Sequence, residues 1–386
     1  MISGTPRTPP PEGGTVSLLV RRLCTAAFFA AALPGFAAAQ PVEPVLALAK
    51  KERQPLLDTL KELVSIETGS RDLEGLDRAA RLIAARLSAL GGKVELVDTS
   101  EGAYRMEDTP AKIGKVVHAR FEGKGAKKIL LLAHMDTVYL RGMIAKQPFR
   151  IEGDRAYGLG IADDKNGVAL ILHVLAMLKA MDFRGYGLIT VLVNADEEMS
   201  SPGSRHLLTR VGAEHDAVFS CEASRVDSDK LALATAGIAS VAIPAEAGAT
   251  ADVRVLRVSD YDGIERAVRE RIRNKLIPDT QVEMTFERRR PPLEATAASR
   301  ALGEHALRIY AELGKELVVD ALAEGGGTDA AFASLNTKAP VIERFGLQGF
   351  GAHSNDAEYV AVDSIEPRLY LLARLIMDVS QGRDRK

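Results

Sequence analysis

Five short segments hold the residues best suited to chemistry in this chain: His134-Met135-Asp136, Asp163-Asp164-Lys165, Asp196-Glu197-Glu198, Cys221-Glu222 and Gly351-Ala352-His353-Ser354. Each puts a carboxylate or imidazole just after an apolar stretch that reads as a buried strand, and strand ends are where an open α/β sheet builds its site. Hard oxygen and imidazole donors in this mixture suit a pair of divalent ions. His134 and Asp136 flank one residue, so their side chains point the same way. A metal-bound histidine usually gives its second ring N–H to a carboxylate, and Asp136 is placed to take it. Of Asp163 and Asp164, just ahead of an apolar helix, one could bridge two metals while the other caps the helix. Glu197 and Glu198 diverge at a strand end, so one can ligate while the other faces substrate as the general base of metal-assisted hydrolysis. Taken singly, each segment has an ordinary alternative: a hydrogen-bonded histidine, a helix cap, a solvated acidic turn. Their joint order and context is specific.

The elements that must position them alternate. Helical spacing marks residues 43–63 and 75–90, the second stopped by Gly91-Gly92. Strands are expected at 94–97, 115–121, 128–133, 187–194 and 217–221, with helices at 165–181 and 204–211. The run 128–133 is apolar at nearly every position, as a central strand covered on both faces requires. From 231 to 290 the pattern changes to a small α+β insertion: strands 231–243 and 249–256, helix 260–275, strand 280–287. The chain then returns to helix 297–313, strand 317–320, helix 328–335, strand 340–343 and helix 364–379. The fold class is therefore α/β, a layered sheet with a small α+β insertion. Cys221 reads as a small buried thiol and His173 as a satisfied core residue; His118, His206, His215 and His305 read as surface or strand positions.

Of 386 residues, 46% are apolar and 26% charged, which suits a globular protein with a sizeable core. A net formal charge of −2 gives no reason to expect nucleic acid or an anionic membrane surface as partner. Residues 1–39 read as a signal peptide: Arg21-Arg22, an apolar run from Leu23 to Phe36, then Ala37-Ala38-Ala39 before Gln40. The run is short for a membrane span, so no stable membrane association is expected after cleavage. The protein is expected to be exported, to the periplasm or beyond. Cleavage removes Cys24 and leaves Cys221 alone, which excludes an internal disulfide. The expected organisation is a catalytic domain in two parts, 40–230 and 291–386, around a lid at 231–290.

His-Met-Asp-Thr-Val-Tyr (134–139), Gly-Ile-Ala-Asp-Asp-Lys (160–165), Asp-Glu-Glu (196–198), Cys-Glu-Ala (221–223), Gly-Gly-Gly-Thr-Asp-Ala-Ala (325–331) and Gly-Ala-His-Ser-Asn-Asp-Ala-Glu-Tyr-Val (351–360) together resemble the exported, folate-hydrolysing glutamate carboxypeptidases of bacteria. Those belong to the co-catalytic zinc metallopeptidases, with aminoacylases and dipeptidases. The resemblance runs from about residue 45 to 380. It implies two zinc ions per subunit, with Asp163 bridging them, His134 and Glu222 completing one site, and Glu198 and His353 the other. It implies Glu197 as general base, Asp136 as the group orienting His134, and a cis peptide between Asp163 and Asp164. It places Arg254 and Arg290 on the carboxylates of a carboxy-terminal glutamate, a bidentate task that suits guanidinium, with the N–H groups of Gly326 and Gly327 assisting. The implied substrate is a small peptide or N-acyl amino acid. An aminoacylase or dipeptidase on the same scaffold is the alternative.

The chain departs from that pattern in the lid. Relatives carry several tens of residues between segments resembling Gly237-Ile-Ala-Ser-Val241 and Ile243-Pro244, including a dimerisation helix and a histidine that stabilises the oxyanion. Here the flanks are joined directly, and no histidine lies between His215 and His305. Losing one such donor costs about a hundred- to a thousand-fold in rate. The gap thus predicts impaired turnover, or a metal-binding protein without efficient catalysis, and it argues against a homodimer of the family's type.

Overall fold

The strand Lys128–His134 lies at the centre of the molecule, with Ile129, Leu131 and Ala133 in one apolar cluster and Leu130 and Leu132 in another. That alternation explains its unbroken apolar run, since successive side chains of a strand leave opposite faces of the sheet. The structure is a computed structural model that describes residues 40–243, 249–275, 277, 280–354 and 357–384; the expected signal peptide lies outside them. Among the described residues, no helix is long and apolar enough to cross a membrane.

The six-stranded sheet has the order Lys93–Val97, Val116–Glu122, Leu188–Asn194, Lys128–His134, Ala217–Ser220, Val341–Ile342. The first three pair antiparallel and the rest parallel. Parallel register puts His134 opposite Asn194, so the chain leaves both strands at one edge, where Glu197 and Glu222 follow. Helices Glu43–Val64, Asn166–Ala180 and Ile365–Ser380 pack together in the larger cluster on one face, and Arg205–Ala213 and Asp329–Ser334 in the smaller cluster on the other. Asp72 caps the helix Leu73–Ala89 and Thr296 caps Ala297–Ala311, each accepting a main-chain N–H.

The insertion contains a three-stranded antiparallel sheet in the order Ala249–Val255, Gly237–Ile243, Thr285–Arg290, with the helix Asp260–Arg271 beside it. The long strand expected at 231–243 divides in two. Lys230–Ala232 pairs with Val318–Asp320, and Thr235 then bridges Leu293 and Glu324 before the second piece begins. The strand expected at 280–287 lies later, at Thr285–Arg290, which brings Arg290 to the inner end of the sheet. A five-stranded sheet escaped the sequence reading. Its order is Arg150–Glu152, Arg155–Tyr157, Tyr359–Ala361, Gln348–Phe350, Ser224–Arg225, and its middle pair carries the loop that holds His353.

Candidate metal centre and active site

Asp163 stands between two histidines. Its Oδ1 lies 2.9 Å from His134 Nε2 and its Oδ2 lies 3.0 Å from His353 Nε2. Glu198 Oε2 is 3.1 Å from the same nitrogen of His353, and Glu222 Oε1 is 4.0 Å from that of His134. The five residues read as ligands therefore converge as two trios sharing one carboxylate. Asp163, Glu198 and His353 each offer a ligand atom within 4.8 Å of the others. The Asp163–Asp164 peptide is cis. Asp164 is buried and accepts from Gly167 N and from the N–H of His134, so it holds the helix start while Asp163 faces the histidines.

The strand ends explain most of this placement. His134 is the last residue of its strand, and Asp136, fully buried, accepts from Ser70 Oγ at 2.8 Å and from the N–H groups of Glu197 and Glu198 at 3.1 and 3.2 Å. Asp136 thus fixes the acidic turn. It meets His134 less directly than expected: His134 Nδ1 is 3.1 Å from the Asp136 carbonyl oxygen and 3.4 Å from its carboxylate. The loop carrying Asp163 is gripped by Glu358, whose carboxylate accepts from Gly160 N, Ala162 N and Asp163 N at 2.8–3.1 Å and from the Tyr139 hydroxyl. Neither Glu358 nor Tyr139 was singled out from sequence, although both lie inside the motifs quoted above.

Negative charge is crowded here. Burial pushes Glu197 up to about 8, against the pull of Arg290. Burial also raises Glu198 and Glu222, with Asp163 among the acidic neighbours that add to it. Asp163 moves the other way: burial opposes its ionisation, but contacts with His134 and His353 outweigh that and lower it. His353 is raised to about 10 by Asp163 and Glu198. Such a set gathers positive charge, as protons or as cations. Glu198 Oε1 is buried without a hydrogen-bond partner among the described residues. Oxygen and imidazole donors arranged this way fit a pair of divalent cations.

Both arginines expected on the substrate carboxylates have partners within the protein. Arg290 is 3% exposed. Its Nη1 is 2.5 Å from Glu197 Oε1 and 3.3 Å from Asp329, and its Nη2 donates to the Glu197 carbonyl. Gly327 packs against it, a Cβ there falling 2.5 Å from Arg290 Cδ. Arg254 is half-exposed and bound to the Asp252 carboxylate and the Gly325 carbonyl. A third guanidinium, missed in the sequence, lines the site: Arg344, with a left-handed backbone at φ +71°. It contacts Glu324 and the Ala223 carbonyl, and its Nε is buried without a partner among the described residues. Arg290, Arg344, Gly326 and Gly327 line a cavity of about 320 Å³ together with Asp163 and His353. His215 and His305, read as surface or strand positions, are buried instead, on Thr190 and Asp378.

Residues 130–378 match the model of peptidase family M20/M25/M40. The chain belongs to this family. It is a metallopeptidase, a hydrolase of the glutamate carboxypeptidase type. It is 38% identical to Carboxypeptidase G2 of Pseudomonas sp. (strain RS-16), over 94% of this chain and 99% of that one. That alignment runs over 422 positions, more than the 386 residues of this peptidase, so it contains gaps on this side. The fold is similar to that of aminopeptidase PepT from Bacillus cereus, with a TM-score of 0.70 at 16% identity, covering 85% of this chain and 98% of that one. Human carnosine dipeptidase 1 gives a TM-score of 0.67 at 14% identity, over 88% and 99% of the two chains.

Proposed function

We propose that this metallopeptidase holds two zinc ions and hydrolyses the amide bond to a carboxy-terminal amino acid, glutamate by preference. The observation that carries this reading is the position of Asp163, each oxygen of which faces a different imidazole. His134, Asp163 and Glu222 would hold one ion, and Glu198, Asp163 and His353 the other. When bound, such ions supply an activated water near neutral pH and polarise the amide carbonyl. Glu197, buried and raised towards neutrality, moves a proton from water to the leaving nitrogen. Asp136 holds the main chain of Glu197 and Glu198 and backs the ring of His134. Arg290 keeps Glu197 in place, and Arg344, which lines the cavity beside Gly326 and Gly327, offers the substrate carboxylate a guanidinium.

Similarity to Carboxypeptidase G2 supports a carboxypeptidase, and the arginine-lined cavity supports an acidic leaving residue. We take residues 231–290 as a lid inserted in a catalytic domain of two parts, and residues 1–39 as a signal for export. One specific observation favours a second reading, of a metal-binding protein with impaired catalysis: the insertion has no histidine between His215 and His305. Metal analysis and hydrolysis of N-acyl-glutamate, with Glu197→Gln as control, separate the two. Two zinc ions with activity lost in the control supports the enzyme. Two ions with no activity in either chain supports the second reading, and less than one ion defeats both.

A further inference from the structure

Two successive serines close the turn that carries Glu197, and both have left-handed backbones: Ser200 at φ +66° and Ser201 at φ +52°. Glycine is the usual residue in that region, because a Cβ there crowds the carbonyl that follows. For Ser201 the fold supplies the reason. It is fully buried, its hydroxyl donates to the Asp329 carboxylate, and its N–H donates to the Asp196 carbonyl. Ser200 is different. Its N–H donates to the Glu197 carbonyl at 2.8 Å and its own carbonyl accepts from Arg205 at 2.7 Å. Its hydroxyl, however, has no hydrogen-bond partner among the described residues.

Ser200 is half-buried and lines the cavity of about 320 Å³ beside Asp163 and His353. With N–H and carbonyl both turned to the protein, the side chain is the part left to face that space. The cations on the same wall already have protein partners: Arg290 holds Glu197 and Asp329, and Arg344 meets Glu324. Neutral donors left without one, among the described residues, include the Ser200 hydroxyl and the N–H groups of Gly326 and Gly327. A neutral donor suits this place. Asp163, Glu197, Glu198 and Glu222 line the same cavity, and a further cation there would be drawn into pairing with them, as Arg290 is.

We propose that the Ser200 hydroxyl donates to the α-carboxylate of the substrate's carboxy-terminal residue and so helps select chains that end in a free carboxylate. The inference rests on the function proposed above. Only Cα separates an α-carboxylate from the scissile nitrogen, so a nitrogen placed at Glu197 keeps that carboxylate close to the turn Ser200 closes. A side-chain carboxylate lies further along the cavity, towards Arg344. The left-handed backbone at residue 200 is then held for the sake of where it puts a hydroxyl, as strain at a binding site often is.

The test is calorimetric binding of N-acetyl-glutamate to the zinc-loaded Glu197→Gln full chain, with Ser200→Gly, Ser200→Ala or Ser200→Asn added, and melting curves to show that each chain is folded. Gly and Ala both remove the hydroxyl, but Gly relaxes the backbone and Ala does not. The dissociation constant is expected to rise at least about tenfold in both, as loss of a hydrogen bond to a charged group predicts. Asn tolerates the left-handed region and offers an amide N–H, so it should recover part of the affinity. N-acetyl-isoglutamine, whose α-carboxylate is an amide, should bind weakly and to the same degree in every chain. Affinity for N-acetyl-glutamate unchanged in Gly and Ala, a loss in Ala alone, an equal loss for the isoglutamine, or no binding to the parent would each overturn the proposal. Hydrolysis of N-acetyl-glutamate by the chain with Glu197 intact is measured alongside. If that fails while Gly and Ala still weaken binding, the Ser200 contact stands and the catalytic reading falls; if hydrolysis proceeds and binding is unmoved, the reverse holds.

Discussion

Arg290 grips Glu197 twice, through the carboxylate with Nη1 and through the carbonyl with Nη2. The resemblance implied that this guanidinium meets substrate; its position makes it first a support for the proposed base. Removing it outright would strand Glu197 and Asp329 in a buried setting, at a cost of about 3–5 kcal/mol. Arg290→Lys keeps the charge and loses the fork. We expect kcat to fall on the order of a hundredfold with KM little changed, because a misplaced base costs transition-state stabilisation rather than binding. Steady-state kinetics with N-acyl-glutamate decide it; a raised KM with kcat intact would return Arg290 to the substrate.

Arg344 should behave in the opposite sense. Its φ of +71° is a conformation that glycine adopts freely, so Arg344→Gly removes the guanidinium without straining the chain. Charge-assisted hydrogen bonds contribute about 1.5–3 kcal/mol. KM for acyl-glutamate is expected to rise at least about tenfold, with kcat nearly constant. Equal KM values in the two proteins would remove Arg344 from the substrate.

Glu358 acts through Asp163. Three main-chain N–H groups of one loop and the Tyr139 hydroxyl converge on its carboxylate. In Glu358→Gln, an amide N–H₂ replaces one acceptor and faces those donors. Zinc affinity, read by competition with a chelator, should drop about 10–100-fold, as it does when groups supporting metal ligands are lost. Glu358→Asp should recover part of the loss. Unchanged affinity would mean that the loop holds its shape without this carboxylate.

Far from the site, Asp378 is 2% exposed. Burial works against its ionisation, but hydrogen bonds from His305 and Arg383 and the charge of Arg374 outweigh that and lower its pKa to about 2. A carboxyl depressed in the fold adds stability above its unfolded pKa near 4 and loses it as pH falls through the folded value. The contribution is about 2 kcal/mol at neutral pH, fading between about pH 4 and pH 2. Denaturation of the parent and of Asp378→Asn should differ at pH 6 and converge near pH 2; a constant gap would rule out this linkage.

Legibility followed element length and burial. Strands such as Lys128–His134 and Leu188–Asn194 announce themselves by largely apolar runs followed closely by imidazole or carboxylate groups, so the placing of His134 and the Glu197-Glu198 turn could be read directly. The sheet that carries His353 could not, because strands such as Gln348–Phe350 and Tyr359–Ala361 are too short to show a period. Arg290 closes a run of three arginines, and an irregularity in register between Arg288 and Arg290 sets it inward while Arg288 stays exposed; a bulge of this kind has no signal in the residue types alone. Arg344 sits at a backbone conformation unusual for a long side chain, which no local pattern of residue types advertises. The shared position of Asp163 was legible through the combined motifs, since two aspartates before a helix fit an ordinary cap equally well.

The inner end of the strand Thr285–Arg290 is secured from three directions: Arg205 donates to the Arg289 carbonyl, Tyr261 to that of Arg290, and Arg290 itself to Glu197. The small sheet is therefore a structural support of the proposed base. A hinge motion that lifted this strand would carry the guanidinium away with it, leaving the acid in the turn unbraced until the two halves met again.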